Sequence, residues 1–287
     1  MVSENLVSIR VWGDFACFTR PEMKVERVSY PVMTPSAARG ILEAIFWEPQ
    51  MHYWIDSIRI LKKGRWVSFR RNEVMEQISI RNAQQWMGDP SRFQPIQAGG
   101  GAPDGTPRNM LALEDVEYII SAETRLTEIG QRAGESVAKY RDELSRRARQ
   151  GKCFHRPGLG MREFAANFDY EPDPDEGMER RAAELGLKAD WRMTWPDEDL
   201  GLVLYDVFDH LERGAGFRWL TDAEAEAGRG QSRRGAATTR HEGVAVRPSA
   251  AFFRARVRDS TLDCHPGRVD IIARKTGGES DAAAEIS

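Results

Sequence analysis

Val7, Ile9 and Val11 alternate with Ser8, Arg10 and Trp12, the period-two pattern of a half-buried strand. A polar loop follows, and then the period changes. Ala37, Ile41, Ala44 and Ile45 fall on one helical face. Thr34-Pro35 predicts the helix start, with threonine as cap and proline at the first helical position, where a missing N–H costs nothing. Pro49 predicts its end. Tyr53 to Leu61 reads as the next strand. Lys62-Lys63-Gly64 reads as a turn, after which Trp66 to Arg71 returns as a hairpin strand.

The pattern then lapses up to about Arg108. The centre of this stretch, QAGGGAPDGTPRN, is rich in glycine and proline, which predicts a mobile loop over about 88–110. Regular alternation resumes at Val116, Tyr118, Ile120, Ala122 and Thr124. Val137 to Arg149 predicts a helix ended by Gly151, and Arg162 to Phe168 a strand with Phe164, Ala166 and Phe168 on one face. Without the extra hairpin strand the order is β-α-β-β-α-β. That is an α+β class chain with the ferredoxin-like plan, its helices on one face of an antiparallel sheet. RNA-recognition domains use this plan, and so do many unrelated proteins, so it fixes no function.

Beyond Tyr170 the composition shifts. Glu171 to Leu200 holds ten acidic and four basic side chains, net -6. It reads as an acidic connector with a short helix near Glu179 to Leu185. Leu200 to Phe208 and Ala251 to Val257 read as strands, with Thr261 to Cys264 able to pair. Gly214 to Arg247 reads as a flexible excursion, and the tail after Arg274 as disordered. The expected organisation is a ferredoxin-like domain over 1–172, the connector over 173–199, a small C-terminal β domain over 200–265 and a tail over 266–287.

Composition narrows the class. The chain has 287 residues, 41% hydrophobic and 30% charged, with a net charge of -3. It is globular, and not a uniformly basic nucleic-acid binder. Cys17, Cys153 and Cys264 are odd in number and form no CxxC pair, which points to a reducing compartment. The start MVSENLVSIRVW lacks a signal-peptide pattern, and no stretch approaches the ~18 apolar residues of a membrane span. A cytoplasmic, non-membrane protein is expected.

Charge is nevertheless local. Arg20, Lys24, Arg27 and Arg39, with Tyr30, cluster in sequence around the Thr34 cap. A helix N-terminus presents free N–H groups, so a phosphate could settle near Ser36 and Ala37; alternatively the cap is only a cap. Lys139 to Arg162 carries eight cations against Asp142 and Glu143, net +6. Repulsion within such a run favours a bound polyanion. The PGLG run at Pro157 to Gly160 lets backbone approach a ligand closely, or is an ordinary turn. His52, His155, His210, His241 and His265 form no HxH, HxxxH or HExxH pair, so no metal is expected. His155, beside Lys152 and Arg156, is the best proton-transfer candidate. No GxSxG, Walker loop or GxGxxG occurs. Trp47, Trp54, Trp66 and Trp86 could stack bases or fill the core.

The run GDFACFTRPEMKVERVSYPVMTPSAARGILEAIFWEP, Gly13 to Pro49, strongly resembles the fifth family of CRISPR-associated (Cas) proteins in its type I-C (Dvulg) form. So do FRRNEV at Phe69 to Val74, RRARQGKCFHRPGLGMREFAANF at Arg146 to Phe168, and LGLVLYD at Leu200 to Asp206. The resemblance implies a ferredoxin-like (RRM/RAMP-type) N-terminal domain with a smaller antiparallel β-sheet C-terminal domain. It implies an endoribonuclease that cuts the repeat hairpin of precursor crRNA without a metal or other cofactor. The ribose 2′-hydroxyl attacks the adjacent phosphate and leaves a 2′,3′-cyclic phosphate. It further implies retention of the crRNA 5′ handle and association with other type I-C Cascade subunits; binding of duplex DNA stays open.

The family's catalytic tyrosine position falls on Phe46, which has no hydroxyl, and its Lys-His pair on Lys139-Tyr140. Tyr140 and His155 are then candidates for proton transfer, Lys139 for charge stabilisation with Tyr30 assisting. A handle-binding subunit that does not cut is the other reading, and a small-anion binder a third. The RNA-contact set is Arg20, Lys24, Arg27, Tyr30, Arg39, Arg146, Arg147, Arg156 and Arg162.

Overall fold

The computed structural model describes residues 5–74, 78–97, 99, 101, 104–186, 195, 197–208, 218–219, 244–245 and 248–273. Part of the acidic connector, most of the 214–247 excursion, residues 274–287 of the tail, His210 and His241 lie outside the described residues; the start of the expected tail is ordered instead, with Ile271–Ala273 forming a sheet strand.

The strands are β1 (Leu6–Ala16), β2 (Arg27–Val28), β3 (Met51–Lys62), β4 (Arg65–Val74), β5 (Gly105–Leu126), β6 (Asn167–Tyr170), β7 (Glu198–Phe208), β8 (Arg218–Trp219), β9 (Val244–Ala245), β10 (Pro248–Arg258), β11 (Thr261–Asp263) and β12 (Ile271–Ala273). The helices are α1 (Pro35–Ile45), α2 (Ile80–Gly88), α3 (Glu128–Arg132), α4 (Val137–Arg149) and α5 (Pro174–Glu184). The fold mixes α and β, with one large, mainly antiparallel ten-stranded sheet. Its path is β12-β10-β11-β3-β5-β1-β6, with β2 and β4 also on β5 and β7 on β10.

Local chemistry accounts for the helix starts. Thr34 accepts a hydrogen bond from the Ala37 N–H at 3.2 Å, and Pro35 opens α1 as the sequence predicts. α1 ends at Ile45, before Pro49, because Phe46 adopts extended backbone. α4 spans the predicted Val137 to Arg149. The connector helix is longer than expected: Asp173 accepts from the N–H groups of Asp175 and Glu176, so α5 starts at Pro174.

Two strand expectations change. β3 and β4 both run antiparallel to β5 in the same sense, from Met51↔Leu126 to Lys62↔Glu117 and on from Arg65↔Glu114 to Val74↔Gly105. The chain does not turn back at Lys63-Gly64. Gly64 (φ 76°) and Asp115 (φ 55°) take left-handed conformations there and bend a continuous edge. The register is the same on either side, Lys62↔Glu117 and Arg65↔Glu114, so the glycine marks a bend without an inserted residue, not a hairpin. The expected loop gives way earlier than about 110, since β5 begins at Gly105, and the polar stretch before it holds the helix α2.

The second change is the strand expected at Arg162 to Phe168, in whose place stands the short β6 at Asn167–Tyr170. Before it, residues 157–166 close a loop through Leu159 N–H to Phe164 O (2.7 Å) and Ala166 N–H to Pro157 O (2.9 Å). Its glycines serve packing inside the chain. A Cβ on Gly160 (φ 83°) would fall 2.2 Å from the Cys17 carbonyl oxygen, and the Cys17 N–H donates to Leu159 O at 3.0 Å. Gly160→Ala should therefore cost more than the about 1–3 kcal/mol of left-handed strain alone. Gly134 (φ 68°), with nothing within 4 Å, is the matched control. Urea midpoints for the two alanine variants check this; equal losses would contradict it.

The C-terminal strands join the same sheet. β11 pairs with β3 from Thr261↔Arg59 to Asp263↔Ser57. One buried cluster runs from Val7, Ile45 and Tyr118 to Phe253, Val257 and Cys264. The boundary expected at residue 200 is therefore no break in the sheet. Among the described residues no helix is long and apolar enough to cross a membrane.

Candidate functional site

The end of α1 meets the first turn of α4. The Phe46 carbonyl accepts from the Tyr53 hydroxyl at 2.9 Å, which fixes the chain where it leaves the helix. The Phe46 ring is buried and stacks on Tyr140, with centroids 6.3 Å apart. Tyr140 is wholly inaccessible, and its hydroxyl makes no well-formed hydrogen bond. Lys139, one residue earlier, is exposed. Its Nζ lies 4.9 Å from the Tyr140 ring and 2.8 Å from Glu135 Oε2.

The electrostatics follow from these contacts. Burial pushes the Tyr140 phenol up, Glu135 and Glu48 add to the shift, and Lys139 opposes it. Tyr140 is thus neutral at physiological pH and a weak acid. The hydrogen bond to Glu135 pushes Lys139 up, so it is a fixed cation; the same bond holds Glu135 low and ionised.

A third segment completes the junction. After α4 the chain returns to α1, where the Phe154 and His155 N–H groups donate to Ala44 O at 2.9 and 3.1 Å. They satisfy a carbonyl that the helix end leaves open. Phe154 packs 6.0 Å from Phe46, and the Arg147 guanidinium lies 4.1 Å from the Phe154 ring and 5.5 Å from that of Phe46. His155 has an exposed side chain beside this junction. Phe46, Lys139, Tyr140 and the His155 backbone, distant in sequence, are therefore neighbours in space.

The proposed RNA contacts divide. Arg39 must be corrected: it is 8% exposed and pairs bidentately with Asp206 (2.7 and 2.8 Å) and with Glu43 (2.6 Å). Burial opposes its charge, but the two carboxylates outweigh burial and raise its pKa. Asp206 also stands near the first turns of α1, which disfavours the phosphate expected at Ser36 and Ala37. Tyr30 is buried, with the Arg20 guanidinium 4.8 Å over its ring. Arg27 is partly buried, and its Nε has no hydrogen-bond partner among the described residues. Lys24 is exposed.

The repulsion argument for Lys139 to Arg162 also weakens. Lys139 pairs with Glu135, Arg141 with Asp142, and Arg146 and Arg147 with Glu143. Lys152, Arg156 and Arg162 are exposed and make no ion pair among the described residues. Nor do the two helix N-termini face one another across a single site. Lys139 and Tyr140 meet the C-terminal end of α1, about 16 Å along the helix from its cap. Sequence reasoning missed Phe154, Glu135 and Glu48. Glu135 had a legible signal, lying four residues before Lys139, the spacing of a helical ion pair.

This arrangement of strands and helices matches a solved structure described as "Crystal Structure of CRISPR-associated Protein". The TM-score is 0.53 at 16% identity, over 94% of this chain and 96% of that one. At that identity the likeness speaks to fold. A family model described as CRISPR-associated protein (Cas_Cas5) matches residues 6–264, and the chain belongs to this family. A relative from Mannheimia succiniciproducens, named CRISPR pre-crRNA endoribonuclease Cas5d, is 40% identical over 212 residues, 72% of this chain and 87% of the relative. A Thermus thermophilus protein of the same name is 41% identical over 175 residues, 60% of this chain and 68% of the relative.

Proposed function

We propose that this protein is a CRISPR endoribonuclease that cleaves the repeat hairpin of precursor crRNA and then holds the 5′ handle within a type I-C Cascade complex. The observation that carries the reading is the junction of Phe46, Lys139-Tyr140 and the Phe154-His155 segment. It occurs in a chain 40% identical to a protein named for this activity. The strand order β3-β5-β1-β6, with α1 and α4 between, supports a ferredoxin-like core carrying the site. The cut proceeds by attack of the ribose 2′-hydroxyl, with Lys139 as the cation facing the phosphorane and no metal required. Lys24, Lys152, Arg156 and Arg162 supply charge for the RNA backbone, and the protein works in the cytoplasm. Duplex DNA is a second polyanion these cations suit.

Repeat RNA incubated with the pure protein in excess chelator should give one discrete product ending in a 2′,3′-cyclic phosphate. A 2′-deoxy substitution at the scissile nucleotide should abolish the cut and leave affinity within about threefold, since phosphate contacts dominate binding. Cleavage of the deoxy substrate would rule out the mechanism. One observation favours a second reading, a handle-binding subunit that does not cut: Phe46 lacks a hydroxyl and that of Tyr140 is inaccessible. Tight binding with no product would establish it.

A further inference from the structure

Attack by a 2′-hydroxyl requires a group that takes its proton. At the junction Phe46 has no ionisable atom, Tyr140 is a buried neutral phenol, and Lys139 is held as a cation. Two carboxylates border it. Glu48 follows α1, and its charge acts on Lys139 and Tyr140. Glu135, just before the Ser136 cap of α4, touches Lys139 directly at 2.8 Å, and its side chain is 27% exposed. Its backbone is fixed by an N–H bond to Gly130 O at 3.0 Å. Lys139 and Tyr140 are the titratable groups facing it.

We propose that Glu135 is the proton acceptor of the cleavage step, held in register by Lys139 until a phosphate takes its place on the lysine. The proposal rests on the nuclease reading above. An entering phosphate oxygen replaces the carboxylate at the Lys139 ammonium. The freed carboxylate takes the 2′-hydroxyl proton as the O2′–P bond forms. The P–O5′ bond breaks, and the leaving O5′ takes a proton from the Lys139 ammonium. Exchange with water then returns Glu135 to its anion and Lys139 to its cation. Electrons and protons balance with no further reactant.

The test is single-turnover cleavage of all-ribose repeat RNA by wild type, Glu135→Gln, Glu135→Ala and His155→Gln, with affinity read on 2′-deoxy RNA. Glutamine keeps an oxygen that can accept from Lys139 but cannot carry the proton. Glu135→Gln should therefore cut 10²–10³-fold more slowly, roughly the weight of one acid–base group, with affinity within about threefold. The base must be ionised, so activity is lost as pH falls through its pKa. Lys139 holds Glu135 low only in the free protein; once a phosphate has taken the lysine that hold is released, so the acid limb of the bound complex should lie above that of the free protein and disappear in Glu135→Gln. A histidine base would instead give an acid limb that His155→Gln removes and Glu135→Gln keeps. Glu135→Gln within threefold of wild type, or an acid limb removed by His155→Gln and kept by Glu135→Gln, overturns the proposal. A wild-type chain that binds RNA without cutting overturns the nuclease reading and this inference with it.

Discussion

Lys139→Ala is expected to slow single-turnover cleavage by about 10³, the combined weight of a fixed cation at the phosphorane and a proton donor to the leaving oxygen. Affinity for 2′-deoxy RNA should fall only slightly, and the slope of log affinity against log salt should change by no more than about one phosphate contact. The reason lies in the partners. Lys139 is tied to Glu135 before RNA arrives, so the lysine exchanges one anion for another and gains little ground-state binding. A variant that cuts at full rate would remove Lys139 from the mechanism. One that loses affinity and rate in equal proportion would make it a binding residue only.

The second large effect is on stability. Arg39→Ala leaves Asp206 and Glu43 facing one another without their shared cation at a site where the arginine is 8% exposed. Breaking a buried pair from one side costs roughly 3–5 kcal/mol, read as a lowered urea midpoint at unchanged slope. Arg39→Met with Asp206→Leu should recover most of the loss, since it removes the buried charge of Asp206 and leaves only the more exposed Glu43. A loss under about 1 kcal/mol for the single variant would show that solvent reaches this ion pair.

These two arginine and lysine sites mark how far the sequence could be read. α1 and α4 were legible because their signals are local: a Thr-Pro start, a 3.6-residue period, a glycine after the last turn. The meeting of Phe46 with Lys139-Tyr140 was legible only through family resemblance, because no periodicity links positions that far apart. Arg39 looked like one more cation of the set around the helix start because its partner, Asp206, is 167 residues away. The direction of β4 was misread because a glycine after two lysines has the composition of a hairpin turn and of a simple bend in a continuing strand alike. What decided between them was the length of β5, and its first half is masked in the sequence by Gly105 and Pro107.

The bend opposite Gly64 and Asp115 divides β5 into two unequal environments. From Val116 to Ala122 every side chain is buried, whereas β4 beyond the bend buries none. Next to the bend Met110 and Ala112 are buried with Cys17 and Met161, and Val67 and Phe69 of β4 pack on them. Beyond that cluster the β4–β5 ribbon is held mainly by its backbone ladder, so its far end can fray and re-zip at less cost than unfolding the core.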